Sequence, residues 1–292
     1  MPIVSSPLRY PGGKTQLTGF VSNLIELNNI ENPIYIEPFS GGAGVAIELL
    51  LNNKVDKIVL NDYDKSIYAV WYSILNQTEA LIDLIESTPI NIENWFKQKR
   101  IFEEKKNYQT SLENGFATLF LNRTNRSGII NAGPIGGYEQ SGKYKLDCRF
   151  NKTKIIEKIR IIASQKHRID LYRKDTVKLI DIIRERYSNT SSFIFFDPPY
   201  YVQGNKLYTN FYTDKDHRHL FNKINSLDDY FWITTYDYSP QIHAIYEQSG
   251  DIGKYYYNLR YSAQTKRRAL EFMFSSSKTK ILSYDKVILT SV

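Results

Sequence analysis

The chain has 292 residues, enough for one large domain or two smaller ones. Its 38 Lys and Arg against 31 Asp and Glu leave a net charge of +7, and 42% apolar with 24% charged residues excludes a disordered chain. The longest apolar run, Ala43 to Leu51, is broken by Glu48 and is too short to span a membrane; Met1-Pro2-Ile3-Val4-Ser5-Ser6 lacks the basic start of a secretory signal; and the single Cys148 excludes an intrachain disulfide or a Cys-rich metal site.

In chain order, Lys14 opens a helix, although a cation is disfavoured there by the helix dipole. Ile34-Tyr35-Ile36, within Pro33 to Phe39, reads as a short buried strand. A glycine turn and a helix over Ala43 to Asn52 follow, then a strand over Lys57 to Leu60 and a helix over Lys65 to Leu75. Glu79 to Glu86 is weakly helical, and Ile92 to Lys106 and Leu112 to Leu121 are helical. Asn122 to Asn151, rich in Gly, Asn, Arg and Tyr, reads as loops with a hairpin. Alternation then resumes: strand Ile169 to Tyr172, helix Thr176 to Tyr187, strand Phe193 to Phe196, strand Tyr230 to Thr234, helix Gln241 to Glu247, and strands near Tyr255 to Leu259 and Leu270 to Phe274. Such alternation predicts a mostly parallel sheet covered on both faces, interrupted by an inserted module. The expected division is a discontinuous domain over 1–88 and 165–292 with the insertion at 89–164.

Charge is concentrated in that insertion. Between Lys97 and Lys174 there are 18 Lys and Arg against 7 Asp and Glu, a net of +11, so the rest of the chain carries −4. The surplus predicts a polyanion docked by this segment. Twenty-three tyrosines fit the same partner by stacking on bases, although an AT-rich coding bias produces the same surplus.

Three motifs carry chemistry. Phe193-Ile194-Phe195-Phe196-Asp197-Pro198-Pro199-Tyr200 is a buried strand ending in a carboxylate, two prolines and a ring, at the strand end where open α/β sheets bind ligands. Asp197, the stiff Pro198 carbonyl and Tyr200 offer two acceptors and a stacking face, which suits a planar ring with an exocyclic amine; a capped strand-ending turn is the structural alternative. Glu37-Pro38-Phe39-Ser40-Gly41-Gly42-Ala43-Gly44 joins a strand to a helix, with Asp62 ending the next strand, where a carboxylate can bind ribose hydroxyls. Ile47 stands where the dinucleotide pattern needs glycine, so the pair suggests an adenosine ligand without a pyrophosphate. Arg9-Tyr10-Pro11-Gly12-Gly13-Lys14-Thr15 fails as a P-loop because Leu8 replaces its first glycine and no strand precedes it; Lys14 is either tolerated locally or placed for an anionic group.

Tyr10-Pro11-Gly12-Gly13-Lys14, the glycine turn, Asn61-Asp62, Asn122-Arg123, Asp197-Pro198-Pro199-Tyr200 and Arg267-Arg268-Ala269-Leu270-Glu271, in that order over nearly the whole chain, resemble the DNA adenine-N6 methyltransferases of the Dam-like, D12 class. The resemblance implies a Rossmann-like S-adenosylmethionine-dependent methyltransferase fold with a largely helical target-recognition domain. It implies S-adenosylmethionine as cofactor, with contacts at Tyr10, Lys14, Glu37, Phe39, Ser40, Gly41, Gly42, Gly44, Asp62, Asp175 and Asp197, and catalysis at Asp197, Pro198 and Tyr200 on an adenine flipped from duplex DNA. Two departures stand out: Tyr10 where relatives often have Trp, and Asp175-Thr176 where the family has Asp-Phe.

Arg123, Asn125 and Arg126 are candidates for reading bases or phosphates, Lys143, Lys145 and Arg149 for phosphates, and Tyr138 for the gap left by the flipped base. No metal is expected: His217-Arg218-His219 is two ligands at a solvated helix start, and Cys148 lacks the context of a nucleophile. The expected setting is the cytoplasm at the nucleoid, as a monomer or weak dimer, with a companion restriction endonuclease compatible with the class. An RNA adenine or cytosine-N4 methyltransferase, or a decayed DNA-binding module, are the competing readings.

Overall fold

The computed structural model describes residues 5–9, 14–201, 212–261 and 267–292. Five strands, β1 (Ile34–Glu37), β2 (Lys57–Asn61), β3 (Ile169–Tyr172), β4 (Ser192–Phe196) and β5 (Phe231–Asp237), form the parallel part of one sheet. β7 (Arg267–Ser275) pairs antiparallel with β5, β6 (Gly253–Tyr261) pairs antiparallel with β7, and β8 (Thr290–Ser291) closes that edge, giving the order β3-β2-β1-β4-β5-β7-β6-β8. The order reverses between β1 and β4, so the loops leaving these two strands open a crevice at the switch point.

The sheet is buried on both faces, and period-2 alternation sorts its side chains. Tyr35, Ile58, Phe193 and Phe195 join one apolar cluster with α1 (Thr18–Leu27), α2 (Gly44–Leu51) and α3 (Lys65–Asn76). Ile36, Val59, Ile194 and Phe196 join the other, with α8 (Thr176–Arg186), α9 (Asp214–Asn225) and α10 (Pro240–Glu247). Among the described residues no helix is long and apolar enough to cross a membrane.

Between β2 and β3 lie α4 (Thr78–Ser87), α5 (Ile92–Lys105), α6 (Leu112–Thr124) and α7 (Lys152–Ser164). Their apolar residues, among them Trp95, Phe102, Phe120 and Ile159, belong to the same cluster as α2 and α3, so the insertion shares the core of the sheet rather than building its own. α6 is buried around its whole circumference from Asn114 to Asn122. A Cβ at Gly115 would lie 2.4 Å from Ser73 Oγ and 2.7 Å from the Ala69 carbonyl oxygen, which shows how closely α6 approaches α3.

Three sequence expectations are corrected. α7 was not anticipated, although Ile155, Ile156, Ile159 and Ile162 give it a helical stripe. The expected hairpin is a single antiparallel bridge, Asn125 to Pro134, among the described residues. Pro134 has no N–H to extend a ladder, and Gly136 and Gly137 take positive φ of 87° and 79°. His217 is not at a solvated helix start: it is 1% exposed, ringed by Tyr201, Tyr212 and Tyr236, while His219 is exposed.

The amino-terminal segment is fastened to the insertion by Asn122. Its Oδ1 accepts from the Arg9 N–H at 2.8 Å, and its Nδ2 donates to the Arg9 and Gly128 carbonyls at 2.7 and 2.9 Å. Gly128 (φ 77°) is needed at this joint, since a Cβ there would lie 2.2 Å from the Arg9 carbonyl oxygen.

Asn122→Ala strands the Arg9 groups and is expected to destabilise the fold by about 1–3 kcal/mol, read by urea denaturation. Burial holds the His217 imidazole down to about 4, below its ordinary 6.5. The unfolded chain therefore takes up a proton that the native state refuses, and the His217 contribution to stability is full above about pH 6.5 and is lost as pH falls toward 4. Urea midpoints of the protein and of His217→Phe across that window are expected to converge as pH falls; parallel profiles would contradict the assignment.

Candidate active site

The four buried apolar residues of β4 deliver Asp197 to the crevice, and the following prolines end the strand. Asp197 Oδ1 accepts from Thr235 Oγ1 of β5 at 2.8 Å and lies 3.2 Å from Lys14 Nζ. Lys14, 6% exposed, also donates to the Tyr200 hydroxyl and lies 3.6 Å from Glu271 Oε2 of β7. The Tyr200 hydroxyl donates to Glu271 Oε1 at 2.7 Å, and the Tyr257 hydroxyl of β6 donates to the other Glu271 oxygen. Past the prolines, the Tyr201 N–H donates to Asp237 Oδ1 at 2.9 Å, which fixes the backbone of the turn. Burial pushes the Asp197 carboxyl above the usual range; Lys14 works against that shift and Glu271 adds to it.

The loop after β1 forms the facing wall. Gly41 and Ala43 take positive φ of 44° and 46°, and the turn is braced from several sides. The Gly41 N–H donates to Asp62 Oδ2 at 2.8 Å, Trp71 Nε1 donates to the Gly41 carbonyl at 2.9 Å, and Ser6 Oγ donates to the Gly42 carbonyl at 2.5 Å. A Cβ at Gly44 would sit 2.3 Å from Thr15 Oγ1, so α2 starts in close contact with this segment and a larger residue would displace the Thr15 hydroxyl. Glu37 is buried, accepting from the Tyr35 hydroxyl at 2.9 Å and the Ala46 N–H at 3.2 Å, and burial raises its carboxyl to about 8. It braces the first turn of α2 from behind.

Asp62, at the end of β2, takes one backbone N–H on each oxygen, from Gly41 at 2.8 Å and Asp64 at 2.9 Å. Each oxygen keeps acceptor capacity for a further donor. Burial, reinforced by Asp64, raises this carboxyl to about 7. The Ser40 hydroxyl on this wall is buried without a hydrogen-bond partner. Phe39 meets Tyr212 edge-on at 6.1 Å, and the Tyr212 phenol is raised by burial and by the Asp175 charge. Asp175 is exposed at the end of β3, where its side chain caps α8 through the Val177 N–H. Tyr10 lies outside the described residues.

The expected nucleic-acid contacts divide into three groups. Asn125 is fully buried: its amide donates to the Ile129 and Ile130 carbonyls, and its oxygen accepts from Trp95 Nε1 at 2.7 Å. All its hydrogen-bonding groups are engaged in closing the loop, so it presents no edge to a base in this arrangement. Arg123 belongs to the last turn of α6 rather than a loop; burial, with Arg9 and Arg149 adding repulsion, lowers its guanidinium to about 10, and its Nε is buried without a partner. Arg9 is lowered by the same two effects, burial first and Arg149 second. Three guanidinium groups thus converge where only two had been singled out from the sequence.

Arg126, Tyr138, Lys143, Lys145 and Arg149 are exposed, although the Lys145 ammonium is tied to the Gln140 carbonyl. Tyr138, 57% exposed, stacks on Phe96, 51% exposed, with ring centres 6.0 Å apart, and both lean on Trp95. Phe96, Thr235, Tyr212 and Tyr257 were not singled out from the sequence, and Arg9 and Glu271 were noted only as parts of motifs. Thr234-Thr235 inside an otherwise apolar strand was the one local signal for Thr235.

A family model described as D12 class N6 adenine-specific DNA methyltransferase matches residues 10–252. The type II methyltransferase M.MjaIII of Methanocaldococcus jannaschii is 25% identical over 211 residues, covering 66% of this chain and 68% of that protein. The type II methyltransferase M.CviBI of Paramecium bursaria Chlorella virus NC1A is 27% identical over 206 residues, with the same shares of each chain. Among solved structures, the rRNA methyltransferase aviRa of Streptomyces viridochromogenes aligns over 93% of this chain and 88% of its own, at 10% identity and a TM-score of 0.40.

Proposed function

The chain belongs to the D12 class N6 adenine-specific DNA methyltransferase family, and on that footing we propose that it transfers a methyl group from S-adenosylmethionine to the N6 amine of an adenine flipped out of duplex DNA. The observation that carries this reading is the Asp197 carboxylate at the end of β4, beside the Pro198 carbonyl and across the switch point from a glycine turn with its own carboxylate, Asp62.

The residues present fit the cofactor. Asp62 keeps acceptor capacity for the two ribose hydroxyls, Ser40 holds an unused hydroxyl, and Phe39 with Tyr212 offers aromatic surface next to Asp175. When bound, S-adenosylmethionine supplies an electrophilic methyl group on a sulfonium. Asp197 and the Pro198 carbonyl accept from the two N–H groups of the target amine, which draws its lone pair out of conjugation with the ring. As that nitrogen gains positive charge the acceptors stabilise it more than they stabilise the neutral amine, and that difference lowers the barrier. Thr235 and Lys14 fix the Asp197 carboxylate in its orientation before the base arrives. The Tyr200 ring, buried with its hydroxyl anchored, stacks on the base.

DNA docks on the basic insertion. Arg9, Arg123 and Arg149 repel one another and are relieved by a phosphate, exposed Arg126, Lys143 and Lys145 extend the positive surface, and the Tyr138–Phe96 pair faces the duplex. The type II methyltransferase names of the two relatives support a place beside a companion restriction endonuclease. The protein acts in the cytoplasm at the nucleoid, as a monomer or weak dimer.

Asp197→Ala is expected to abolish labelled-methyl transfer to DNA while S-adenosylmethionine still binds in calorimetry; full activity would refute the role. Lys143→Ala and Arg149→Ala are each expected to weaken binding to every duplex alike and to lower the slope of log affinity against log salt by about 1. A loss confined to one sequence would reassign that residue to base reading.

A further inference from the structure

Thr235 lies fully buried inside β5, after Phe231-Trp232-Ile233 and before Tyr236. A hydroxyl at such a position is costly unless it is hydrogen-bonded, and this one is donated to Asp197 Oδ1 at 2.8 Å. Its neighbour Thr234, equally buried, points to the opposite face of the sheet. The Thr235 donor has little freedom. β5 is paired with β4 on one side, Thr234 opposite Phe196, and with β7 on the other, Thr235 opposite Met273, and a β-branched side chain is stiff at its first torsion. The hydroxyl is thus fixed relative to the end of β4, one residue before Asp197.

The contacts made to Asp197 share one oxygen. Thr235 Oγ1 at 2.8 Å and Lys14 Nζ at 3.2 Å both reach Oδ1, and among the described residues no hydrogen bond is donated to Oδ2. A carboxylate oxygen offers two lone-pair sites, so two donors occupy Oδ1 and leave Oδ2 as the acceptor of the pair. The Asp197 side chain keeps 23% of its surface exposed, and Oδ1 is the oxygen already covered. Lys14 approaches on a flexible stem and also meets Tyr200 and Glu271, whereas Thr235 is the donor held by the sheet itself.

Resting on the adenine methyltransferase reading, we propose that Thr235 is a positioning residue: its hydroxyl occupies Oδ1 of Asp197 and so presents Oδ2 as the acceptor for the target amine. The groups that face Asp197 are Lys14 ahead of α1, Tyr35 and Glu37 on β1, Thr235 on β5 and Glu271 on β7. Burial raises the Asp197 carboxyl, Lys14 lowers it, Glu271 raises it and the Thr235 hydrogen bond lowers it.

Thr235→Val keeps the branched shape and removes the hydroxyl. In transfer assays kcat is expected to fall about 10- to 10²-fold, as for loss of a hydrogen bond to a charged group, while calorimetry without DNA shows S-adenosylmethionine bound as before. Because the lost bond no longer lowers the Asp197 carboxyl, the acidic limb of the pH–rate profile is expected to move to higher pH. Thr235→Ser restores the hydroxyl and is expected to recover both the rate and the position of the limb. Thr234→Val makes the same change on the opposite face and is expected to alter neither.

An unmoved limb in Thr235→Val overturns the proposal. So does a Thr235→Ser variant as slow as Thr235→Val, which would assign the residue to packing alone. Should circular dichroism show Thr235→Val unfolded, Thr235→Ala carries the same expectations. If the unsubstituted protein transfers no methyl group to DNA, the functional reading and this inference fall together; if it does and Thr235→Val matches it in rate and pH profile, only this inference falls.

Discussion

A carboxylate delivered by a buried strand has to be compensated, and Asp197 is compensated by Lys14, a residue from near the opposite end of the chain. Much of the site's construction serves that pair. β4 brings the carboxylate to the switch point, β5 contributes Thr235 to orient it, and β7 brings Glu271 to hold the ammonium from its other side. In the proposed function this gives an acceptor fixed before the substrate arrives, the condition under which electrostatic stabilisation of a developing charge is effective.

The same amino-terminal segment ties the site to the basic insertion. Arg9 is clamped by Asn122 at the end of α6 and belongs to a group of mutually repelling guanidiniums; Lys14, five positions later, reaches Asp197. α6 in turn lies against α3 with no room for a Cβ at Gly115, within an apolar cluster that runs on to the sheet. The helical insertion therefore shares the core of the sheet, and in the proposed function a duplex on its basic surface is held in register with the crevice.

The features legible in the sequence were those written locally. Four apolar residues followed by Asp-Pro-Pro mark β4 and its acid, and Glu37 to Gly44 marks the turn, because strand burial, proline stiffness and glycine φ are properties of adjacent residues. What escaped was decided by distant partners. Asn125 resembles a base-reading residue in a polar loop until Trp95, 30 positions earlier, is seen to donate to it. His217 follows an acidic, exposed helix start and is buried only because Tyr201, Tyr212 and Tyr236 surround it. Glu271 acquires its place from antiparallel pairings at the end of the sheet that no local pattern announces. α7 is the exception: its isoleucine stripe was readable and was masked by the glycine-rich stretch before it.

The central claim is that the Asp197 pocket grips an adenine amine of DNA. The most direct measurement incubates the protein with labelled S-adenosylmethionine and duplex DNA, digests the DNA to nucleosides and separates them by chromatography. The account predicts that the label is recovered in N6-methyladenine. Label in N4-methylcytosine, or transfer to RNA and none to DNA, would contradict it.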